Sequence, residues 1–184
     1  MKYFIRDRIC ACVKCQCTKA FQYTKVPLGT FSEPDARLSH IHLDFIGTLP
    51  ISEDKQFCLK ITDRFTRWSE AISTSDMSAE TIGQAHVNGW ISRFGTSVIN
   101  TSDQGRNFES TLFREFTNIS FSYRIHSAAY HPQSNWMIER LRRHLKGSLM
   151  AYENLKWTEI LPLVLLDLRT AIKKDLNANS SQLA

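Results

Sequence analysis

The sequence has little of what builds fibrous, disordered or membrane-spanning chains. Glycine and proline fill only 12 of 184 positions, and hydrophobic residues make up 42%, which excludes a collagen-like or low-complexity protein and favours a folded core. The sequence also lacks a run of 18 uncharged apolar residues, because the best candidate, Ile160–Leu166, is followed at once by Asp167. We therefore predict no membrane span, and the length fits one ordinary domain.

Most of the chain lacks a net charge. Residues 1–25 hold six bases and one acid, whereas the other residues hold 17 bases and 17 acids. The net charge of +5 therefore belongs to the N-terminal piece. Any binding of nucleic acid by the rest of the chain must come from local patches.

Evenly spaced cysteines are missing as well. Four of the five cysteines lie within residues 10–17, which argues against a secreted disulfide scaffold. Cys12 and Cys15 have the spacing of half a zinc site, but structural zinc needs four ligands and no second pair precedes them. We interpret residues 1–36 as the remnant of a zinc-binding module with its linker. We expect no bound zinc, and we expect the chain to begin inside a longer polyprotein.

Hydrophobic periodicity in the remainder predicts an α/β or α+β domain with a mixed sheet. The predicted strands are Leu38–Ile46, Phe57–Thr62, Arg67–Ile72, Val98–Thr101 and Phe121–Ile125. The predicted helices are one that Ser78 caps and Gly95 ends, then Glu109–Asn118, Ser134–Tyr152 and Trp157–Ala171, with a loop at Ser127–Gln133. Trp68, Trp90 and Trp157 are expected in the core, and Cys58 is expected to be a small buried hydrophobe.

Three acidic residues occupy positions typical of a metal site. Asp44 interrupts an apolar strand, Asp103 follows the strand that ends at Thr101, and Glu139 lies on the long helix, away from its leucine stripe. Carboxylates that are brought together repel one another, and a divalent cation removes that repulsion. Oxygen ligands without a histidine or cysteine shell favour Mg²⁺ or Mn²⁺ over zinc. Two such ions can assist both oxygens of a phosphoryl transfer.

Simpler roles stay open for the two acids of the strands. Asp44 would bond to His42 or to a backbone amide, which offsets the cost of burying a charge. Asp103 would cap the turn at Gly105. Neither role excludes metal binding.

The helix that carries Glu139 is also rich in bases. Arg143 and Lys146 follow on the same face, and Arg140 and Arg142 flank that face, an arrangement that suits a polyanion laid across the helix. The alternative is an ordinary helical salt bridge from Glu139 to Arg143, worth about 0.3–0.5 kcal/mol.

Five motifs follow one another in the sequence. They are His42-Leu-Asp-Phe-Ile-Gly47, Ile61-Thr-Asp-Arg-Phe-Thr-Arg-Trp68, Trp90-Ile-Ser-Arg-Phe-Gly95, Thr101-Ser-Asp-Gln-Gly105, and Tyr130-His-Pro-Gln-Ser-Asn135 with Ile138-Glu-Arg140. Together they resemble the catalytic core of retroviral-type integrases, nearest to the gypsy-type branch of LTR retrotransposons. The resemblance covers about residues 38–184 and the cysteine pair of the N-terminal remnant. The 35 residues between Asp103 and Glu139 match the separation in that family.

This resemblance implies a ribonuclease H-like fold for residues 37–184, a five-stranded mixed sheet flanked by helices. It implies Asp44, Asp103 and Glu139 as the catalytic and metal-binding triad, with Mg²⁺ or Mn²⁺ as the cofactor and two ions when DNA is bound. The implied reaction is DNA integration for an LTR retrotransposon. A DNA 3′ end is trimmed, and its 3′ hydroxyl then attacks a target phosphodiester.

The resemblance also implies partners. Lys146, and less strongly Arg143, would contact the DNA ends. Gln104 and Asn107 are also expected to bind DNA, and they would shape the loop beside the second aspartate. The loop Ser127–Gln133 would form a flap beside the site. Double-stranded DNA and further copies of the chain are the expected partners, with action in the nucleus after a cytoplasmic element particle.

The sequence departs from the family pattern at one notable position. Trp136 stands where the family usually has glycine, which is costly if that turn needs a positive φ or a close approach to DNA. The histidine pair of the zinc module and a basic C-terminal domain are also not seen, so we expect a fragment or a degenerate copy. The alternative interpretation is therefore an inactive or decayed core that is retained as a nucleic-acid-binding module.

Overall fold

The computed structural model describes residues 36–103, 105–126, 147, 156–173 and 176–184. Several predictions lie outside these residues, so their structure is not described. They are nearly all of the N-terminal remnant with Cys12 and Cys15, Gln104, the loop Ser127–Gln133, and the helix Ser134–Tyr152 with Trp136, Glu139, Arg143 and Lys146. None of the helices in the described residues is long and apolar enough to cross a membrane.

Five strands form one mixed sheet in the order β3-β2-β1-β4-β5. They are β1 (His40–Ile46), β2 (Phe57–Asp63), β3 (Ser69–Thr74), β4 (Ile99–Ser102) and β5 (Tyr123–His126). The pairs of β2 with β1 and with β3 are antiparallel, whereas β4 runs parallel to both β1 and β5. This architecture confirms the predicted five-stranded mixed sheet.

Three strands were predicted to start two residues too early, and the strand predicted from Val98 starts one residue later, at Ile99. Leu38, Arg67 and Phe121 have φ angles of 61°, 62° and 54°, so each lies in a turn with left-handed backbone rather than in a strand. The turn before β3 is held by Asp63, whose carboxylate accepts hydrogen bonds from the backbone N–H and the hydroxyl of Thr66 at 2.8 and 2.7 Å. The alternation of apolar and polar side chains cannot reveal such a turn, because it continues from the turn residues into the strand.

The first helix follows the predicted signals at both ends. It consists of α1 (Ala79–His86), a π-helical segment (Val87–Ile91) and α2 (Ser92–Phe94). The Ser78 hydroxyl accepts from the N–H of Thr81 at 3.2 Å, and Gly95, with φ of 81°, follows the last helical residue. The π-helical segment was not predicted, and Val87 within it is more exposed than the prediction required.

The helix α3 (Thr111–Ile119) begins two residues later than predicted, because Ser110 caps it by accepting from the N–H of Phe113. The predicted apolar side is correct for Phe113, which is fully buried, and wrong for Leu112, which is 51% exposed.

The C-terminal part contains more elements than predicted. Helix α4 (Trp157–Thr170) matches the prediction, although Pro162 lies in its second turn rather than its first. It is not the last element, because β6 (Ile172–Lys173), β7 (Ala178–Asn179) and α5 (Ser180–Leu183) follow.

Two apolar clusters lie on opposite faces of the sheet, and alternation along β1 explains both. Ile41 and Leu43 point toward α1 and α3, where they pack with Ile82, Trp90 and Phe113. On the other face, a second cluster joins the sheet to α4; it contains Ile46, Leu49, Cys58, Trp157, Ile160, Leu161, Val164, Leu165 and Leu168. Cys58 is fully buried, which confirms its prediction as a small buried hydrophobe, and burial raises the pKa of its thiol to about 12.

Helix α4 is also fixed to the edge strand β3 by a buried carboxylate. Glu70 is 6% exposed, and its two oxygens contact Arg169 at 2.6 Å and Arg93 at 3.0 Å. The indole N–H of Trp68 donates to the same carboxylate at 3.0 Å, and the Arg169 guanidinium lies 4.3 Å from the centroid of that ring. Because both oxygens of Glu70 are satisfied, this charge can be buried without an unpaired group.

Candidate active site

Two of the three predicted acids lie side by side at one end of the sheet. Leu43 of β1 is the register partner of Ser102 of β4, and the two strands are parallel. An aspartate follows each of these two residues: Asp44 follows Leu43 within β1, and Asp103 follows Ser102 just after β4. The register therefore places Asp44 and Asp103 at the same level of two neighbouring parallel strands, near their carboxyl ends, which is a common place for ligand binding in α/β sheets.

The loop after β4 holds the Asp103 carboxylate by a backbone hydrogen bond. The N–H of Gly105 donates to Asp103 Oδ1 at 3.0 Å, so the turn-capping role that the sequence left open is observed. A Cβ atom at position 105 would lie 2.9 Å from the same oxygen, which explains why glycine stands there. The side chain of Asp103 is exposed and faces solvent.

Asp44 lies in a different electrostatic environment. It is buried, with 9% of its surface exposed, and its register partner on the antiparallel strand β2 is Lys60, which is 1% exposed. A lysine is rarely buried to this extent without an opposite charge nearby. Lys60 was not predicted as part of the site, although its place on the same face of β2 as Cys58 and Thr62 could have indicated it.

Two stacked histidines continue the face of β1 that carries Asp44. The rings of His40 and His42 lie 5.1 Å apart, and His40 Nε2 lies 2.8 Å from the hydroxyl oxygen of Thr101. Burial, helped by the charges of neighbouring basic residues, lowers the pKa of His42 to about 3 and that of His40 to about 4. Both imidazoles are therefore neutral at pH 7 and add no positive charge beside the carboxylate.

The donor set that the described residues supply consists of carboxylate oxygens. Within those residues, three or more His, Cys, Asp or Glu side chains do not gather in one place where they could bind a metal ion. The third predicted ligand, Glu139, lies outside them, as do Arg143, Lys146 and Gln104. Asn107 is half-buried, and its backbone carbonyl accepts from the Ser110 hydroxyl at 2.9 Å, at the start of α3; its predicted role at DNA stays a prediction.

Solved structures with the same fold include retroviral integrases. The catalytic core domain of BIV integrase superposes with a TM-score of 0.62 at 19% identity, covering 79% of this chain and 93% of that one. A chain of the simian T-cell lymphotropic virus intasome, solved with PP2A regulatory subunit B56 gamma, gives a TM-score of 0.74 at 16% identity, covering 100% of this chain and 66% of that one. The implied ribonuclease H-like fold is thereby confirmed.

Sequence relatives agree with the fold. The Gag-Pol polyprotein of walleye dermal sarcoma virus is 33% identical over 146 residues, which is 77% of this chain, and that of koala retrovirus is 28% identical over 170 residues, which is 90%. The chain is an integrase core of the retroviral type. This core spans 8% and 10% of those two polyproteins. No protein-family model matches the sequence, and its place in the gypsy-type branch stays a prediction.

Proposed function

We propose that this integrase core carries out the DNA-breaking and DNA-joining chemistry of integration, by metal-dependent polynucleotidyl transfer on double-stranded DNA. The observation that carries the proposal is the parallel register of β1 and β4, which places Asp44 and Asp103 at the same level of the sheet, each directly after a paired residue. The similarity of the chain to two Gag-Pol polyproteins and to the catalytic core of BIV integrase supports it. Trimming of the 3′ end and transfer of that end to a target, for an LTR-type element, are the specific steps proposed.

The two carboxylates fit a hard divalent cation. Asp44 and Asp103 offer only oxygen donors, the ligands that Mg²⁺ and Mn²⁺ prefer, and Glu139 is the proposed third ligand. A divalent ion held there would activate the attacking oxygen and stabilise the leaving oxygen of the phosphodiester. The attacking group is water or a DNA 3′ hydroxyl, so the protein needs no side-chain nucleophile.

The groups around Asp44 and Asp103 suit the two carboxylates for binding a divalent cation. The N–H of Gly105 orients the Asp103 carboxylate, while the exposed position of this side chain leaves it open to the DNA. Lys60, the register partner of the buried Asp44, places an opposite charge on the neighbouring strand β2. The neutral His40 and His42 fill the adjacent strand face without competing for the carboxylates.

A strand-joining assay tests the proposed function. The full chain is incubated with a fluorescently labelled blunt duplex whose terminal base pairs are randomised, because the recognised end sequence is unknown. Shortened and joined strands are expected with Mg²⁺ or Mn²⁺, and their loss is expected on adding excess EDTA, because the acids alone cannot stabilise the reacting oxygens. DNA binding without product in either metal would contradict the proposal and favour the binding-module alternative.

Lys146 provides a separate test of DNA contact. Lys146→Ala is expected to weaken DNA binding and to lower the slope of log Kd against log salt by about one, because one phosphate contact is lost. Fluorescence anisotropy over a series of salt concentrations measures that slope. Arg64→Ala is the matched control, because Arg64 follows β2 at the opposite end of the sheet from Asp44. An equal slope in wild type and Lys146→Ala would mean that this helix face is only solvated.

A further inference from the structure

A cluster of three side chains joins the loop after β4 to strand β5. Arg124 Nη2 donates to Glu109 Oε1 at 2.7 Å, and His126 Nδ1 lies 3.0 Å from the same oxygen. Arg124 Nη2 also lies 3.2 Å from His126 Nε2, which closes a triangle. Each of the three side chains therefore contacts both of the others, and we call this set the Glu109 triangle.

The hydrogen-bond donors around His126 decide which of its ring nitrogens accepts a hydrogen bond and which one donates. A guanidinium has only donors, so His126 Nε2 must accept the hydrogen bond from Arg124. Nδ1 then carries a ring proton and donates a hydrogen bond to Glu109, so all three contacts are satisfied at once.

The triangle is built on a well-fixed arginine. The side chain of Arg124 is 11% exposed, and its guanidinium lies 5.8 Å from the centroid of the buried Phe113 ring. Arg114 of α3 adds a longer contact of 3.3 Å to the other carboxylate oxygen of Glu109. Burial acts to raise the pKa of Glu109, but the hydrogen bond from Arg114 and the charge of Arg124 outweigh it and lower that pKa.

Short backbone hydrogen bonds connect the triangle to Asp103. The N–H of Glu109 donates to the carbonyl of Gly105 at 3.1 Å, and the N–H of Gly105 donates to the Asp103 carboxylate. On the strand side, His126 is the register partner of Ser102, the residue before Asp103. Glu109 therefore lies at the junction between the turn that orients Asp103 and the strand beside it.

We propose that Glu109 is a positioning residue, which acts through Arg124 and His126 to hold the Asp103 turn against β5 in the geometry that metal binding needs. The metal part of this proposal rests on the proposed function; the attachment of the turn does not. Outer contacts that orient a ligand typically change metal affinity by about 10- to 100-fold, which sets the expected effect.

The test measures the turn and the metal separately in the full chain. The backbone amide resonance of Gly105 reports its hydrogen bond to Asp103, and titration with Mn²⁺ alone gives the dissociation constant. Glu109→Ala is expected to shift that resonance and to raise the Mn²⁺ dissociation constant about tenfold. Glu109→Gln, which keeps an acceptor oxygen and nearly the same shape, is expected to fall between wild type and alanine, and it serves if the alanine variant folds poorly.

Arg114→Ala is the matched control, because Arg114 contacts the Glu109 carboxylate from α3 and not from β5. It is expected to leave the Gly105 resonance and the Mn²⁺ dissociation constant within twofold of wild type. The proposal is overturned if Glu109→Ala behaves like Arg114→Ala, or if the resonance shifts while Mn²⁺ affinity stays the same. If Asp103→Asn also binds Mn²⁺ as wild type does, the proposed function fails instead, and the Gly105 resonance then decides whether the triangle holds the turn.

Discussion

Asp103→Asn is expected to lower the yield of joined DNA by at least about 100-fold while leaving the fold intact. Asparagine keeps an oxygen that can accept the N–H of Gly105, so the turn after β4 should survive. What the substitution removes is the negative charge that a divalent cation needs in its shell. Loss of groups that only support a metal ligand already costs about 10- to 100-fold, and loss of a ligand should cost more.

The measurement combines the strand-joining assay with far-UV circular dichroism and a thermal melt. Asp54→Asn is the matched control, because Asp54 is an exposed acid in a turn and its φ of 59° suits asparagine. Near-wild-type product from Asp103→Asn would remove Asp103 from the proposed triad. A changed dichroism spectrum would show instead that the turn, not the charge, had been lost.

The sequence contained enough information to predict Asp44 and Asp103 as site residues and to predict the five-stranded sheet. Asp44 is unusual because it interrupts an apolar strand, and Asp103 is unusual because it follows a strand at once and precedes Gly105 with a single residue between them. Such local signals survive folding, since strand alternation and glycine turns depend on neighbours in the chain. The parallel register of β1 and β4 then places both acids at one end of the sheet.

Features that depend on distant partners were not predictable. His86 has a polar side chain, yet it is about 1% exposed because α3 packs against it through Phe116. The pairing of Glu109 with Arg124 joins residues on a loop and a strand, and helical spacing suggested only that Glu109 opened a helix. The prediction for Leu112 was wrong in the opposite sense, since it was expected on the buried side of α3 and is exposed. In each case the missing information is which surface of one element meets another.

Acidification is expected to destabilise the protein through buried histidines, with His86 as the cleanest case. His86 lies between α1 and α3, 5.5 Å from the Phe116 ring, and within the described residues neither ring nitrogen has a hydrogen-bond partner. Burial lowers its pKa from 6.5 to about 4. The unfolded chain therefore binds a proton below pH 6.5, whereas the folded chain binds it only below about pH 4. Stability from this residue is complete above pH 6.5 and is lost as the pH falls toward 4.

His86 alone is expected to account for a loss of about 3 kcal/mol in the free energy of unfolding, because its pKa is lowered from 6.5 to about 4 and one pKa unit corresponds to about 1.4 kcal/mol. Urea unfolding at several pH values between 7.5 and 4 measures it. His86→Leu should lose about 3 kcal/mol less than wild type over this range, since His40 and His42 still contribute and only the term from His86 is removed. Val87→Leu, at the next and more exposed position, should keep the wild-type dependence. Equal losses in wild type and His86→Leu would mean that the imidazole is reached by water in the folded protein.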